Sequence, residues 1–159
     1  MVKINSTNAL NGGGAEVLLL VQQVDTNSGN IIVFYDNGST CCLITFPAAE
    51  RLKLVGEAIV ISIKTAIGTK TINSYAYNIT LTDNAGQVHI ITAYGVANIS
   101  NHRNAVDISH LSGEFSSEAQ DNWDVIDQSS GEIELLIGMN ALGLHPTDIE
   151  VSKNLKLMS

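Results

Sequence analysis

The alternation of apolar and polar residues along the chain predicts a protein built mainly of β-strands. Three segments alternate with a period of two: 57–65 (EAIVISIKT), 71–82 (TINSYAYNITLT) and 87–96 (QVHIITAYGV). Such alternation is typical of antiparallel strands with one buried face. The apolar sets are Ile59, Ile61 and Ile63; Tyr75, Tyr77, Ile79 and Leu81; and Val88, Ile90, Tyr94 and Val96. The connecting segments 64–70 (KTAIGTK) and 83–87 (DNAGQ) have the length and glycine content of hairpin loops.

Two apolar runs without alternation flank one short polar turn, DNGS at 36–39. The runs are IIVFY (31–35) and CCLIT (41–45), and their continuity predicts strands that are covered on both faces. An Asn-Gly pair is a strong hairpin signal, so one interpretation is a surface hairpin turn with a solvated Asp36. Upstream, AEVLLLVQQV (15–24) predicts a first strand that forms a hairpin with IIVFY.

The other segments complete an all-β prediction. We expect a short helix in FPAAERLKL (46–54), a buried strand and a helical turn in IELLIGMNALGLHP (133–146), and a terminal strand in DIEVSKNLKLM (148–158). Residues 1–14 are polar and glycine-rich, which predicts a flexible leader before one domain at 15–159. Residues 98–131 are polar and acidic, and we expect a long connection or a partly helical insertion there. Many short strands favour a closed or sandwiched β architecture.

Charge and cysteine usage exclude several functions. Eight basic and sixteen acidic residues give a formal charge of −8, without a Lys/Arg cluster, so nucleic acid is not an expected ligand. Cys41 and Cys42 are adjacent, which fits neither a disulfide framework nor a zinc site. The sequence has no signal-peptide pattern and no run that could span a bilayer, so we expect a cytoplasmic protein without a membrane partner.

Most candidates for chemistry are weak. The four histidines have no ligand spacing, so no metal is expected; they are His89, His102, His110 and His145. A serine-nucleophile elbow and a complete phosphate loop are both absent from the sequence. Glu132 and Glu134 fall on one side of a strand, as the paired acids of a glycosidase do, but such pairs are more often solvating.

The turn DNGS after an apolar strand, followed much later by LLIGMN, resembles the two motifs of the retropepsins, the aspartic proteases of retroviruses and retrotransposons. Those motifs are an Asp-Thr/Ser-Gly turn and an Ile-Ile/Leu-Gly-x-Asn/Asp segment beneath it. With FPAAERLKL and NLKLM, the chain is most similar to the peptidase domain in Pao/BEL-type LTR retrotransposon polyproteins, over roughly residues 15–158. The resemblance implies a retropepsin-like closed β-barrel with one or two short helices, active as a two-fold homodimer.

The resemblance also implies a site. Asp36 would be catalytic, because two carboxyl groups that share one proton can activate a water molecule. The sequence has one D-x-G triplet, so the second Asp36 must come from another copy of the chain. Gly38 and Ser39 would shape the turn, and Asn37, which stands where Thr or Ser is usual, would contact the partner. Support under the site would come from Leu136, Ile137 and Gly138.

The segment KTAIGTK lies where retropepsins carry the flap, a hairpin that closes over bound peptide. The expected flap tip is Ile67, Gly68 and Thr69. An apolar tip on a glycine-containing turn can both move and exclude water from the peptide. The alternative is an ordinary surface hairpin.

The sequence therefore predicts an aspartic endopeptidase that processes its own polyprotein, in the cytoplasm or within virus-like particles. Its partners would be a second copy of the chain and a polypeptide substrate, and no metal or organic cofactor is expected. Two alternatives stay open. Asn37 and the long acidic segment favour a non-catalytic retropepsin-like module for dimerisation or peptide binding. The second alternative is an unrelated β-barrel in which DNGS is only a hairpin turn.

Overall fold

The computed structural model describes residues 21–65, 68–83, 85–100, 131–145, 149–152 and 155–158. The predicted leader (1–14), most of the acidic connection (101–130) and Ile67 lie outside the described residues. The elements are β1 (Val21–Thr26), β2 (Gly29–Tyr35), β3 (Cys42–Thr45), α1 (Phe46–Arg51), β4 (Gly56–Thr65), β5 (Gly68–Thr82), β6 (Val88–Val96), β7 (Leu135–Ile137), a 3₁₀ segment (Met139–Leu144), β8 (Ile149–Ser152) and β9 (Leu155–Met158). The all-β prediction is confirmed.

Seven strands form one sheet in the order β1-β2-β7-β3-β6-β5-β4, and β1 also pairs with β5 through Asp25↔Thr82 and Thr26↔Leu81. The predicted β1–β2 hairpin is present and closes at Thr26↔Gly29, where the Ser28 amide donates to Thr26 Oγ1. Strands β4, β5 and β6 are antiparallel neighbours, as the alternation predicts.

Strand β7 lies between β2 and β3, so the DNGS turn does not close a hairpin. β7 runs parallel to β2, with Phe34↔Leu136, and antiparallel to β3, with Leu43↔Leu136. The hairpin interpretation of DNGS is therefore wrong. A strand that follows about a hundred residues later separates the two apolar runs.

The central strands are buried on both faces, as their continuous apolar runs predict. A main cluster covers one face and includes Cys42, Ile44, Leu135 and Ile137. A second cluster covers the opposite face and consists of Val21, Leu43, Val96, Ile99, Ile133 and Leu136, with Ile32, Phe34, Cys41, Ile63 and Tyr94 packed against it. Alternate residues of β3 and β7 thus enter different clusters.

The predicted buried face of β6 is wrong in part. Val88 and Ile90 are 62% and 73% exposed, whereas Ile91 and Ala93 are buried. Both alternating sets of this strand contain apolar residues, so its pattern does not decide which set is inside. Pairing of Ile91 with Ile79 in β5 places the odd-numbered set over the main cluster.

Two end regions also differ from prediction. Helix α1 begins after Thr45, whose side chain accepts from the Ala48 amide, but it ends at Arg51 because Lys53 has a positive φ of 54°. The expected terminal strand is instead a hairpin of β8 and β9, paired from Ile149↔Met158 to Ser152↔Leu155.

Candidate functional site around Asp36

Asp36 follows the last residue of β2 and begins a tight turn. The Ser39 amide donates to the Asp36 carbonyl at 3.2 Å, and the Gly38 amide donates to Asp36 Oδ1 at 2.8 Å. A β-carbon at Gly38 would lie 3.1 Å from that same oxygen, so glycine permits the close approach. The turn thus orients a half-buried carboxylate, while Asn37 and Gly38 are exposed.

Ser39, the last residue of the turn, is hydrogen-bonded to Cys41 and to Met139. Its side chain is fully buried, and its hydroxyl donates to the Cys41 carbonyl at 2.8 Å. Its own carbonyl accepts from the Met139 amide at 2.9 Å. A buried hydroxyl needs such a partner, because desolvation without one is unfavourable.

The structure places the LLIG segment directly against the turn. The Asp36 amide donates to the Ile137 carbonyl at 2.9 Å, which continues the β2–β7 ladder by one residue. Gly138 lies against the backbone of Cys41, and a β-carbon there would stand 2.6 Å from the Cys41 carbonyl carbon. Leu136 is buried between β2 and β3, in the second cluster.

Further side chains, which the sequence analysis did not assign to the site, surround Gly138 with hydrogen bonds. The Gly138 amide donates to Cys42 Sγ at 3.4 Å, and the Cys42 thiol donates to Asn140 Oδ1 at 3.1 Å. His145 Nε2 lies 3.1 Å from the Gly138 carbonyl oxygen, so this nitrogen is the donor. The His145 ring also meets Tyr35 edge-on, with centroids 5.9 Å apart. No spacing in the sequence signals the contacts of Cys42 with Gly138 and Asn140, because these residues are far apart in the chain.

Burial controls the ionisation of the groups beside the turn. Burial raises the pKa of the Cys42 thiol, against the opposing hydrogen bond from Gly138. It also raises the pKa of the Cys41 thiol, against a hydrogen bond with Ser39. The pKa of Tyr35 is raised by burial as well. Thiols with raised pKa values are protonated near neutral pH, so neither cysteine is poised as a nucleophile.

One face of the site is apolar. Ile32 and Phe34 of β2 pack against the second cluster, and Asp36 is the next residue in the same alternation. Ile63, near the end of β4, packs against that cluster too. The carboxylate therefore continues a strand face whose preceding side chains are apolar.

The predicted flap segment is the end of the β4–β5 hairpin. Thr65 pairs with Gly68, whose φ is +140°, and Thr69 is exposed and pairs with Lys64. In the described register β6 pairs with β5 from Ala76 onward, whereas the part of β5 nearer the tip pairs with β4. The hairpin thus extends beyond the rest of the sheet as a two-stranded ribbon.

A cavity of about 740 Å³ lies beside the Asp36 turn, on the face of the main cluster. Its lining is Gln22, Gln23, Val24, Asp25, Tyr35, Leu81, Thr82, Asp83, Ala85, His89, Ile137 and Leu144. Asp36 is not part of this lining, although Tyr35 and Ile137 adjoin it. The cavity is therefore separate from the apolar face that Asp36 continues.

Among the described residues, no group of three or more His, Cys, Asp or Glu side chains could hold a metal ion. The described part of the chain also has no helix long and apolar enough to cross a membrane. Neither the scan against protein-family models nor the search of curated proteins finds a match to this chain.

Proposed function

We propose that this chain is one half of a retropepsin-like aspartic endopeptidase, with Asp36 as its catalytic carboxylate. The observation that carries the proposal is the pairing of Asp36 with the end of β7. Its amide bonds to Ile137, and its carboxylate accepts from Gly38 within a turn that Ser39 and Gly138 hold against the sheet. An idle surface turn would not require a separate strand paired beside it or a fully buried serine within it.

The strand pairing supports a closed barrel as the fold of this enzyme. Strand β1 pairs with β2 on one side and with β5 on the other. Followed through β2, β7, β3, β6 and β5, the pairings return to β1. A sheet whose first strand also pairs with a later one is the arrangement that barrel closure requires.

The proposed chemistry needs two copies of the chain. Two carboxyl groups in close contact cannot both ionise, so one takes a proton from water while the other protonates the leaving amine. Since the chain has one D-x-G triplet, the second carboxyl group comes from a partner across a two-fold axis. Asn37, exposed at the turn, would contact the partner through its amide.

The hairpin β8–β9 is a candidate for part of the dimer contact. It forms a two-stranded sheet of its own, with no pairing to the larger sheet among the described residues. An isolated two-stranded hairpin is marginally stable in water, so additional strands would stabilise it. A second copy related by the two-fold axis could supply them.

The substrate would be an extended polypeptide, including the polyprotein that contains this chain, in the cytoplasm or in virus-like particles. The apolar face formed by the partly buried side chains of Ile32, Phe34 and Ile63 would contact its side chains. The β4–β5 ribbon would cover it and bond to its main chain, in the manner of strand addition.

The test is peptide cleavage by Asp36→Asn. This variant keeps an oxygen that can accept from the Gly38 amide, so the turn is retained while the carboxylate is lost. Turnover should fall by about three orders of magnitude, within the range that acid–base groups contribute. The matched control is Asp25→Asn, an exposed aspartate at the end of β1, which should cleave like the parent.

A parent with a bell-shaped pH profile and inhibition by a pepstatin-type compound would support the enzyme. Equal turnover by Asp36→Asn and the parent would overturn it. The second candidate is a non-catalytic dimerisation or peptide-binding module, and the amide side chain of Asn37 in the exposed turn favours it. Peptide binding by the parent without turnover at any pH would select that candidate.

A further inference from the structure

The carboxylate of Glu134 joins three elements just before β7. Its Oε2 accepts from the Ile32 amide in β2 at 3.0 Å, and its Oε1 accepts from Arg51 Nη2 at 2.7 Å. Arg51 is the last residue of α1, and its Nη1 donates to the Asn30 carbonyl at 3.0 Å. Both ends of the Arg51–Glu134 pair are thus attached to the backbone of β2.

The backbone of Glu134 is bonded on both sides as well. Its amide donates to the Ile32 carbonyl at 3.0 Å, and its carbonyl accepts from the Thr45 amide at 2.9 Å. Both backbone polar groups of Ile32 therefore bond to Glu134. These bonds hold residue 134 between β2 and the end of β3 before β7 begins.

Strand β7 needs such an anchor because it has three residues, Leu135–Ile137. A slip of one residue would exchange the two faces of a strand. It would move Leu136 from the second cluster to the main one, and would remove the Ile137 carbonyl from the Asp36 amide. The contact between Glu134 and Ile32 lies a short way before the bond between Ile137 and Asp36. Glu134 precedes Ile137 by three residues, and Ile32 precedes Asp36 by four on the neighbouring parallel strand.

We propose that Glu134, held by Arg51, is a positioning residue that sets the register of β7 and thereby the location of Asp36. The effect on catalysis rests on the proposed function, but the effect on register does not. This role also distinguishes Glu134 from Glu132, the other member of the acidic pair. Glu132 is exposed, whereas Glu134 has its carboxylate engaged by two partners.

The experiment compares Glu134→Ala and Glu134→Gln, with Glu132→Ala as the matched control two residues away. Two quantities are measured: amide hydrogen exchange in the free protein, and kcat and KM for peptide cleavage. In Glu134→Ala the Ile32 amide, which loses a partly buried acceptor, and the Asp36 amide, which depends on the position of β7, should exchange about tenfold faster or more. Exchange at Tyr77, which pairs with both Gly56 and Ala93, should change less than about twofold.

Glu134→Gln keeps an oxygen that can accept from Ile32, so it should retain the protection of the Asp36 amide. For cleavage, kcat should fall about tenfold in Glu134→Ala with KM nearly unchanged, and should largely recover in Glu134→Gln. Glu132→Ala should match the parent in both measurements. Arg51→Ala should give a smaller acceleration at Asp36, because its partly exposed ion pair is screened by solvent.

Unchanged exchange at Asp36 in Glu134→Ala would overturn the proposal. Equal acceleration at Asp36 and Tyr77 would also overturn it, since Glu134 would then contribute only to global stability. If the parent cleaves no peptide, the proposed function fails, but the exchange rates still decide whether Glu134 positions Asp36.

Discussion

The backbone of Gly138 lies against the backbone of Cys41. A β-carbon at position 138 would stand 2.6 Å from the carbonyl carbon of Cys41 and 2.9 Å from the backbone nitrogen of Cys41. The obstructing atoms are backbone, which cannot rotate away as the end of a side chain could. The contact joins the end of β7 to the residues between the Asp36 turn and β3. Glycine at 138 is thus a packing requirement of the site.

Gly138→Ala should therefore displace β7 from the Asp36 turn. We expect a loss of about 1–3 kcal/mol in the free energy of unfolding, the usual cost of overpacking, together with reduced cleavage. Denaturant unfolding measures the first effect. Gly143→Ala, within the 3₁₀ segment that follows Gly138 but with open space around its β-carbon, is the control and should stay near the parent. Equal stability of the two variants would contradict the assigned contact.

The flap assignment predicts that Gly68 and Gly86 respond differently to the same change. Both have positive φ, +140° and +77°, both lie in hairpin turns, and a β-carbon at either would meet no atom within 4 Å. Valine should strain each turn by about 1–3 kcal/mol. Only Gly68→Val should also slow cleavage, by about tenfold, because only its hairpin would close over the peptide. Parental kcat/KM in Gly68→Val would show that this hairpin is not a flap.

The turn between β5 and β6 should lose stability in acid. The pKa of Asp83 is lowered, chiefly by its hydrogen bond with His89 and then by the amides of Gln87 and Ala85. A carboxyl group with a lowered folded-state pKa stabilises the fold fully above its ordinary value of 3.8, and this stabilisation is lost as the pH falls through the folded-state pKa.

Asp83→Asn removes that dependence. The difference in free energy of unfolding between parent and variant should be constant from about pH 6 to about pH 5 and should shrink toward about pH 2. Chemical unfolding at a series of pH values measures it. A difference that grows on acidification would contradict the assigned hydrogen bonds.

Local patterns predicted much of the fold. Period-two alternation indicated β4, β5 and β6, and the continuous apolar runs around Asp36 indicated strands buried on both faces. The alternation could not predict which face of β6 is buried, because Ile90 and Ile91 are equally apolar. Only the pairing with β5 decides which of them is inside.

The site needed more than local patterns. The motif DNGS indicated a turn that could carry a catalytic aspartate, but a hairpin turn has the same sequence. Only the insertion of β7 between β2 and β3 excludes the hairpin. The Arg51–Glu134 pair joins residues 83 positions apart. No periodicity relates such residues, and their contact exists because the end of α1 and the residue before β7 both bond to the first half of β2.

The central claim is that Asp36 forms half of a catalytic dyad, and the distance between two copies of its carboxyl group tests it most directly. A crystal structure of the protein at a concentration that favours association would measure that distance. We predict a two-fold dimer in which the two carboxyl groups lie about 3 Å apart, close enough to share one proton. A monomer, or a dimer whose two Asp36 side chains face solvent on separate surfaces, would contradict the claim.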